Sequence, residues 1–534
     1  MRWFKPLVAL APVLVVSGGA LLLMLYEGLV GRRAAPAAGD VEGLVRARVR
    51  SGLRSAFAIG VLGLAGLASV GLWFLARRAG AADPGLLAEV IARTHGLGGD
   101  RFALVVYGVL CLGGMLVLLQ AGSYLRELGL DRPEFPLLVL LAVLGGMFLS
   151  AAQDLLMLFL GLETLSLGTY CLVAFQRSSL KSSEAALKYF LLGSFAAAIL
   201  LFGMALLYGI TGSLRLEEIG RVLSGDSPTA YEPVAAIAMV LVLVGLAFKV
   251  SAVPFHMWTP DAYEGAPTPV TAFMAVVVKT AAFAVLVRVL LVALPLGSPL
   301  TGAPAGWVSI LTGLAVLTMV LGNFAGLMQT NVKRLLAYSS IAHAGYILVG
   351  VVAAGAVHAA VPHEARLVQA DAGGAVLYYL LAYLLGTAGA FGVVSICARG
   401  HREATTLSDL HGFSRRSPLL AFAFLLFVLS LTGIPPMAGF FGKLYLFKLA
   451  VEVGLWPLAV VGVLTSVVAA WYYLRLVVAM YMREPESDDV ARAVPSVRGW
   501  VGIGAAAVLV VALGVLPSRM LSVAVQSVYA LLQP

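Results

Sequence analysis

Lysines stand in the middle of three of the most apolar segments of this chain. They are Lys249 in LVLVGLAFKVSAVP, Lys279 in TAFMAVVVKTAAFAVLV and Lys443 in PPMAGFFGKLYLF, and Glu163 adds a carboxylate in LLMLFLGLETLSLGTY. A charge at the centre of a membrane helix costs at least ~2.5 to 3.5 kcal/mol on insertion scales, so such residues are rare and usually functional. Buried amines and carboxylates can take up and release protons. These four residues therefore predict proton or ion movement across a membrane.

Two further side chains could belong to the same route, each with an alternative role. Lys188 lies near the start of its predicted helix, four residues after Glu184, and could carry protons or form an ordinary i,i+4 ion pair. His343 shares a helical face with Ser339 and Tyr346, which could hold a file of water or hydrogen-bond a neighbouring helix. A similar stripe is formed by Tyr379, Tyr383 and Thr387.

A pair of Glu163 with Lys188 would act as a switch. The ammonium is stabilised while it is paired with a carboxylate, and it tends to lose its proton when the two separate. The pairing is a hypothesis at this point.

The composition is that of a polytopic membrane protein. The 534 residues are 61% hydrophobic and 12% charged, and the mean hydropathy is +0.97. The formal charge of +9 is explained by cations in short loops beside apolar spans, so it does not indicate nucleic-acid binding. The three cysteines are isolated, and His256, Asp261 and Glu264 lack a standard ligand spacing, so no metal or cluster site is predicted.

At ~20 residues per span, the sequence predicts an all-α membrane protein of about fourteen transmembrane helices. Cations are more frequent after odd-numbered spans, which places both termini outside the cytoplasm. The long basic loops at 31–54 and 77–101 are the least regular part of this pattern. The predicted spans are 6–30, 55–76, 102–124, 135–152, 154–176, 184–210, 233–264, 267–294, 306–327, 332–356, 373–398, 417–450, 456–482 and 498–526.

Prolines interrupt two of these spans, and each interruption lies within two turns of a lysine. Pro254 breaks the seventh span near Lys249, and Pro435 and Pro436 break the twelfth near Lys443. A broken membrane helix usually lines a site or a cavity. The breaks are five spans apart, which predicts two inverted five-helix repeats, spans 4 to 8 and 9 to 13. The predicted division is 1–134, a first repeat 135–294, a second repeat 306–482 and a C-terminal helix 498–534.

Three long motifs resemble those of the antiporter-like membrane subunits of proton-translocating NADH-quinone oxidoreductase (respiratory complex I), most of all the subunit N branch. They are FKVSAVPFHMWTPDAYEGAPTPVTAF, NVKRLLAYSSIAHAGYILVG and GIPPMAGFFGKLYLF. The resemblance extends from about residue 100 to the end. By position, it implies that Glu163 and the lysines at 188, 249, 279 and 443 carry protons along a central hydrophilic axis.

The resemblance also implies how the work is divided among subunits. This chain would be a non-redox, multi-pass subunit of the inner membrane without cofactors of its own, while NAD, FMN, iron–sulfur clusters and quinone belong to partner subunits. Its partners would be the other membrane subunits of complex I and the lipid bilayer, with no nucleic acid. An Mrp-type cation/proton antiporter subunit is the alternative within the fold. A stand-alone transporter for sodium or a small solute and a proton-inactive scaffold subunit also remain open.

Overall fold

The computed structural model describes residues 8–30, 41–82, 97, 99–224, 232–294, 300, 306–357, 362–399, 402–403, 405–484, 492–493 and 496–533. Long apolar helices dominate it, as predicted. The helices are α1 (Ala11–Val30), α2 (Val41–Ala82), α3 (Arg101–Glu127), α4 (Glu134–Ala151), α5 (Leu155–Val173), α6 (Leu180–Thr211), α7 (Leu216–Leu223), α8 (Glu232–Val250), α9 (Trp258–Gly265), α10 (Thr268–Ala293), α11 (Trp307–Leu327), α12 (Val332–Gly355), α13 (Pro362–Ile396), α14 (Phe413–Arg416), α15 (Pro418–Thr432), α16 (Ala438–Glu452), α17 (Trp456–Met482), α18 (Val497–Val515) and α19 (Pro517–Leu531).

The number of spans agrees with the prediction. Among the described residues, thirteen helices are long and apolar enough to cross a membrane, and up to fourteen if a bent pair is counted. Three short strands add a feature that the sequence did not indicate. The strands β1 (Cys397–Arg399), β2 (Arg402–Glu403) and β3 (Arg492–Ala493) pair antiparallel in the order β2-β1-β3.

Both predicted helix interruptions are present. The seventh span consists of α8 and α9, separated at residues 251–257, and the twelfth consists of α15 and α16, separated at residues 433–437. The backbone at each break turns through a positive φ, at Ser251 in the first and at Gly433 in the second. The unwound segments leave carbonyl groups outside the helical ladder, where they can accept hydrogen bonds from buried donors.

Three boundary predictions were wrong. Helix α13 begins at Pro362, eleven residues before the predicted start of its span at 373, because proline is favoured at the first helical position and the polar residues that follow are good helix formers. Residues 41–54 belong to the single helix α2, because Arg, Val and Leu are adequate helix formers and no proline interrupts them. The last predicted span, 498–526, is two helices, because Pro517 has no N–H to continue α18 and instead begins α19. Residues 31–40 and 83–96 of the predicted basic loops lie outside the described residues.

Helix α10 is almost completely enclosed, and every residue from Thr268 to Leu291 is buried. Two π-helical turns interrupt it, at Met274–Val278 and Val289–Ala293. The first π turn immediately precedes Lys279, and such turns occur frequently at functional sites.

Candidate functional site

Lys279 is buried at the centre of α10, and the contacts of its ammonium within the described part of the chain are with neutral oxygens. Its ammonium donates to the backbone carbonyl and to the hydroxyl of Ser340 on α12, each at 2.5 Å. The Tyr263 hydroxyl lies 3.4 Å from the Ser340 hydroxyl, and the Tyr383 ring centroid lies 5.7 Å from the Lys279 nitrogen. One serine and one aromatic ring therefore take the place of water around this amine.

Lys249 lies in the last turn of helix α8, just before the first break, and is also buried. Its ammonium donates to the Ser166 hydroxyl at 2.8 Å and lies 5.4 Å from the ring centroid of Tyr170 and 5.5 Å from that of Tyr189. Glu163 is one turn from Ser166 on α5 and interacts electrostatically with Lys249. Lys249 and Glu163, both predicted to transfer protons, are therefore neighbours in the structure.

Glu163 is half-buried, whereas the sequence predicted a fully buried carboxylate. Leu160 and Leu167 on the same helix are exposed, so this stretch of α5 is part of the lateral surface of the chain. A carboxylate that faced lipid within a membrane helix would be costly, so Glu163 requires contact with another protein or with water.

Lys443 follows the second break and is buried on α16. It donates to the backbone carbonyl of Thr432 at 2.9 Å, an oxygen at the unwound end of α15, and lies 4.6 Å from the centroid of the Tyr346 ring. An unwound carbonyl at the break therefore binds the ammonium in place of water.

His343 lies between the sites of Lys279 and Lys443 and interacts electrostatically with both. Its Nδ1 is 2.6 Å from the Tyr379 hydroxyl, and its Nε2 is 3.0 Å from the Tyr473 hydroxyl. The Tyr473 hydroxyl is also hydrogen-bonded to Ser339. The predicted polar stripe on α12 is therefore a hydrogen-bonded file that joins three helices.

Two of the residues that bond these groups were missed from the sequence, Ser340 beside Lys279 and Tyr473 beside His343. Ser340 was overlooked because it lies beside the predicted Ser339 and one residue off its stripe, and the serine pair itself was the available signal. Tyr473 stands in the apolar run WYYLRLVV, where nothing distinguishes it from a packing residue. Proximity to His343 depends on how α17 packs, and the sequence alone does not give this.

Lys188 is placed differently from the hypothesis of a Glu163 pair. Its side chain is 44% exposed and binds Glu184 at 2.7 Å and Asp261 at 2.8 Å. The i,i+4 alternative is thus present in the structure, strengthened by a carboxylate of α9. In this conformation, Lys188 is not bonded to Glu163.

Asp261 and Glu264 face cations and do not form a metal cluster. Arg334 binds Asp261 at 2.8 Å and Glu264 at 3.1 Å, and Lys181 lies 3.5 Å from Glu264. These contacts join α9 to the first turn of α12 and to the start of α6. The carboxylates are neutralised by basic side chains, which explains their position beside a helix break.

Glu403 on strand β2 forms an ion pair that the sequence did not predict, with a buried lysine, Lys333, and a carboxylate that is 23% exposed. It accepts from Lys333 at 3.0 Å, from the Tyr124 hydroxyl and from the Thr268 hydroxyl at 3.1 Å. Burial opposes ionisation of this carboxyl, but the Lys333 ammonium and the hydrogen bonds outweigh burial, so its pKa lies below the ordinary value.

We expect Glu403 to stabilise the fold in a pH-dependent way. Because its folded pKa is lowered, the stabilisation is complete above the unfolded value of ~4.3 and is lost as the pH falls through the lower folded value. Thermal unfolding of the detergent-solubilised wild type and Glu403→Gln, followed from pH 7 downward, should show a melting difference that shrinks only in acid. A constant difference across that range would contradict the assignment.

Known proteins share this architecture. The family described as NADH:quinone oxidoreductase/Mrp antiporter, TM, matches residues 152–469. NADH-quinone oxidoreductase subunit N 1 of Sorangium cellulosum is 49% identical over 534 residues, covering 98% of this chain and 99% of that protein. Subunit N of Chloroflexus aggregans is 40% identical over 525 residues, covering 98% and 97%.

Solved structures agree with the sequence relatives. A chain of respiratory complex I from Thermus thermophilus with bound aureothin has a TM-score of 0.72 and 34% identity, covering 96% of this chain and 98% of that one. A chain of the Mrp complex from Dietzia sp. has a TM-score of 0.77 at 22% identity, with 99% and 98% coverage, which shows a shared fold. The chain therefore belongs to the family of antiporter-like membrane subunits of NADH-quinone oxidoreductase, among relatives named subunit N.

Proposed function

We propose that this chain translocates protons through its buried ionisable residues as a subunit of an NADH-quinone oxidoreductase. Electron transfer and quinone reduction occur in partner subunits. The observation that carries the proposal is the buried cluster between Lys279 and Lys443. The Tyr383 ring lies 5.7 Å from the Lys279 nitrogen and 5.0 Å from the His343 ring, and the Tyr346 ring lies 5.6 Å from the His343 ring and 4.6 Å from the Lys443 nitrogen. Proton transfer across these gaps would use hydrogen bonds and intervening waters.

Three lysines bind and release protons along the proposed route. Lys249 exchanges protons beside Glu163 on α5. Lys279 does so at the centre of α10, and Lys443 does so beside the second break. Lys188 takes part by exchanging Asp261 for Glu163 as its carboxylate partner, and His343 passes protons between Lys279 and Lys443. Side-chain ammonium groups repel sodium, which favours proton transport over a stand-alone sodium transporter. The Mrp-type cation/proton antiporter subunit is the alternative within the shared fold.

The two interrupted spans support a repeat organisation. In each, a lysine lies beside an unwound segment, Lys249 before the first and Lys443 after the second. We assign residues 135–294 and 306–482 to two inverted five-helix repeats, flanked by 1–134 and by 498–534. Five helices per repeat make consecutive repeats opposite in orientation. Both chain termini then lie outside the cytoplasm, on the side away from the β1–β2 hairpin.

The proposal is tested in membranes that carry the assembled complex. Lys279→Ala should lower the rate of proton translocation driven by NADH, while native gel electrophoresis shows normal assembly. Thr280→Val is the matched control, because the Thr280 hydroxyl donates only to the backbone of its own helix. Unchanged pumping in Lys279→Ala would favour an inactive scaffold. Co-purification with Mrp-type partners instead of NADH-oxidising subunits would favour the antiporter alternative.

A further inference from the structure

Helix α10, which carries Lys279, is bound at each end by a different ion pair whose cation is buried. At one end, Thr268 donates its backbone N–H and its hydroxyl to Glu403, the partner of Lys333. At the other end, Arg288 binds both oxygens of Asp100, at 3.0 and 2.8 Å. The cationic side chains are almost completely enclosed, 1% exposed for Lys333 and 3% for Arg288.

The distance between the two ion pairs along α10 is close to the thickness of a membrane. Lys279 follows Thr268 by eleven residues and precedes Arg288 by nine, which is about 17 Å and 14 Å at ~1.5 Å per residue. The two ends are therefore ~30 Å apart, close to the thickness of the hydrocarbon core of a bilayer. Each pair closes one end of the helix, and the amine lies midway between them.

The first pair closes the side of the molecule that carries the β1–β2 hairpin. Lys333 also donates to the carbonyl of Ala266 at 2.6 Å, and Tyr124 from α3 binds Glu403. Ser340, which binds Lys279, lies seven residues after Lys333 and so on the same face of α12. One face of α12 therefore carries the cation of the Glu403 pair near the hairpin and the serine that binds Lys279 at the centre.

The second pair closes the opposite side. Arg288 donates through Nε to the carbonyl of Ser150 at 2.9 Å, and Asp100 also accepts from the backbone N–H of Ala103 at 2.7 Å. The hydroxyl of Tyr107 interacts electrostatically with both Asp100 and Arg288 but is buried without a hydrogen-bond partner. A buried hydroxyl without a protein partner beside an ion pair is a position that a water molecule can occupy when the pair opens.

We propose that Glu403–Lys333 and Asp100–Arg288 are the two closures of the proton route served by Lys279, and that at least one must be intact at all times. The inference rests on the proposed function. A pump that opened both sides at once would let protons run back, so coupling requires that the two closures alternate. Opening either pair exposes Lys279 to one side only.

The test is a double substitution in the purified complex reconstituted into liposomes, without NADH. A potassium diffusion potential with valinomycin drives protons, and a pH-sensitive dye inside the vesicles reports the leak. Glu403→Gln and Asp100→Asn each remove one negative charge with little change of shape. Each single variant should leak no faster than wild type, whereas the double variant should leak at least tenfold faster.

The Glu27–Arg54 pair provides the matched control, because its 2.6 Å contact joins α1 and α2 and does not touch α10. Vesicles with the Glu27→Gln and Glu403→Gln double variant should leak protons no faster than vesicles with wild type. Adding Lys279→Ala to the leaking double variant should reduce the leak, because the route passes through that amine. Assembly of every variant is checked by native gel and by NADH oxidation with a soluble electron acceptor.

Three results would overturn the inference. One is a normally assembled double variant whose proton leak is as slow as that of wild type. Another is a single variant that leaks as fast as the double variant, and the third is a leak that is undiminished by Lys279→Ala. The pumping of the Lys279→Ala variant alone tests the proposed function separately, so the two failures are distinguishable.

Discussion

Replacing Lys443 by methionine should slow NADH-driven proton translocation about tenfold, equivalent to ~1.4 kcal/mol in the barrier. The physical reason is the site at the second break, where the ammonium binds the Thr432 carbonyl and faces the Tyr346 ring. Methionine has a similar length and fills the space, but it cannot hold a proton. The measurement is the initial rate of acidification in inverted membrane vesicles, normalised to assembled complex.

Lys448 on the same helix is the matched control. It is an exposed lysine, five residues further along α16, and lies 3.4 Å from Glu452. Lys448→Met removes the same charge from the same helix without touching the buried file, and should retain nearly the full rate. Equal rates in the two variants would show that burial beside the break is irrelevant and would remove Lys443 from the route.

Replacing Gly145 by valine should destabilise the subunit by about 3 kcal/mol, because large groups forced into a packed interface are costly. A Cβ at Gly145 would overlap the backbone nitrogen of Leu165, and one at Gly161 would overlap that of Leu149. Helices α4 and α5 thus touch backbone to backbone at reciprocal glycines. Neither backbone can move aside as a flexible side chain can. The measurement is the melting temperature and the amount of folded chain in membranes.

Gly108 on α3 is the control for that substitution. A Cβ there would meet nothing within 4 Å, so Gly108→Ala should leave stability unchanged or slightly raised, since alanine is the better helix former. If Gly145→Val accumulated and melted like Gly108→Ala, then α4 and α5 would not be packed as closely as the structure shows.

The breaks in the seventh and twelfth spans could be predicted because proline acts locally. Its missing N–H and fixed φ interrupt a helix whatever surrounds it, so Pro254 and Pro436 indicate the interruptions without tertiary information. The buried lysines are equally clear, since ammonium groups in apolar runs are rare. Both features depend on the residue and its immediate neighbours.

The partners of those lysines could not be predicted, because they come from distant parts of the chain. Lys279 binds Ser340, sixty-one positions away, and Asp100 binds Arg288 across one hundred and eighty-eight. Glu403 stands in a short polar segment that looks like an ordinary loop, and only the folded hairpin brings it to Thr268. The Glu163 and Lys188 hypothesis illustrates the same difficulty, since Asp261 is the nearer carboxylate.

After each proton transfer, the hydrogen bonds between His343 and its two tyrosines must return to their starting arrangement. A neutral imidazole donates at one nitrogen and accepts at the other, and each phenol both donates and accepts. When a proton enters at Tyr473 and another leaves at Tyr379, every bond in the series reverses polarity. The next proton in the same direction must wait until the phenols rotate and the ring exchanges tautomers. Side-chain reorientation, as well as amine chemistry, therefore limits how rapidly this series can conduct in one direction.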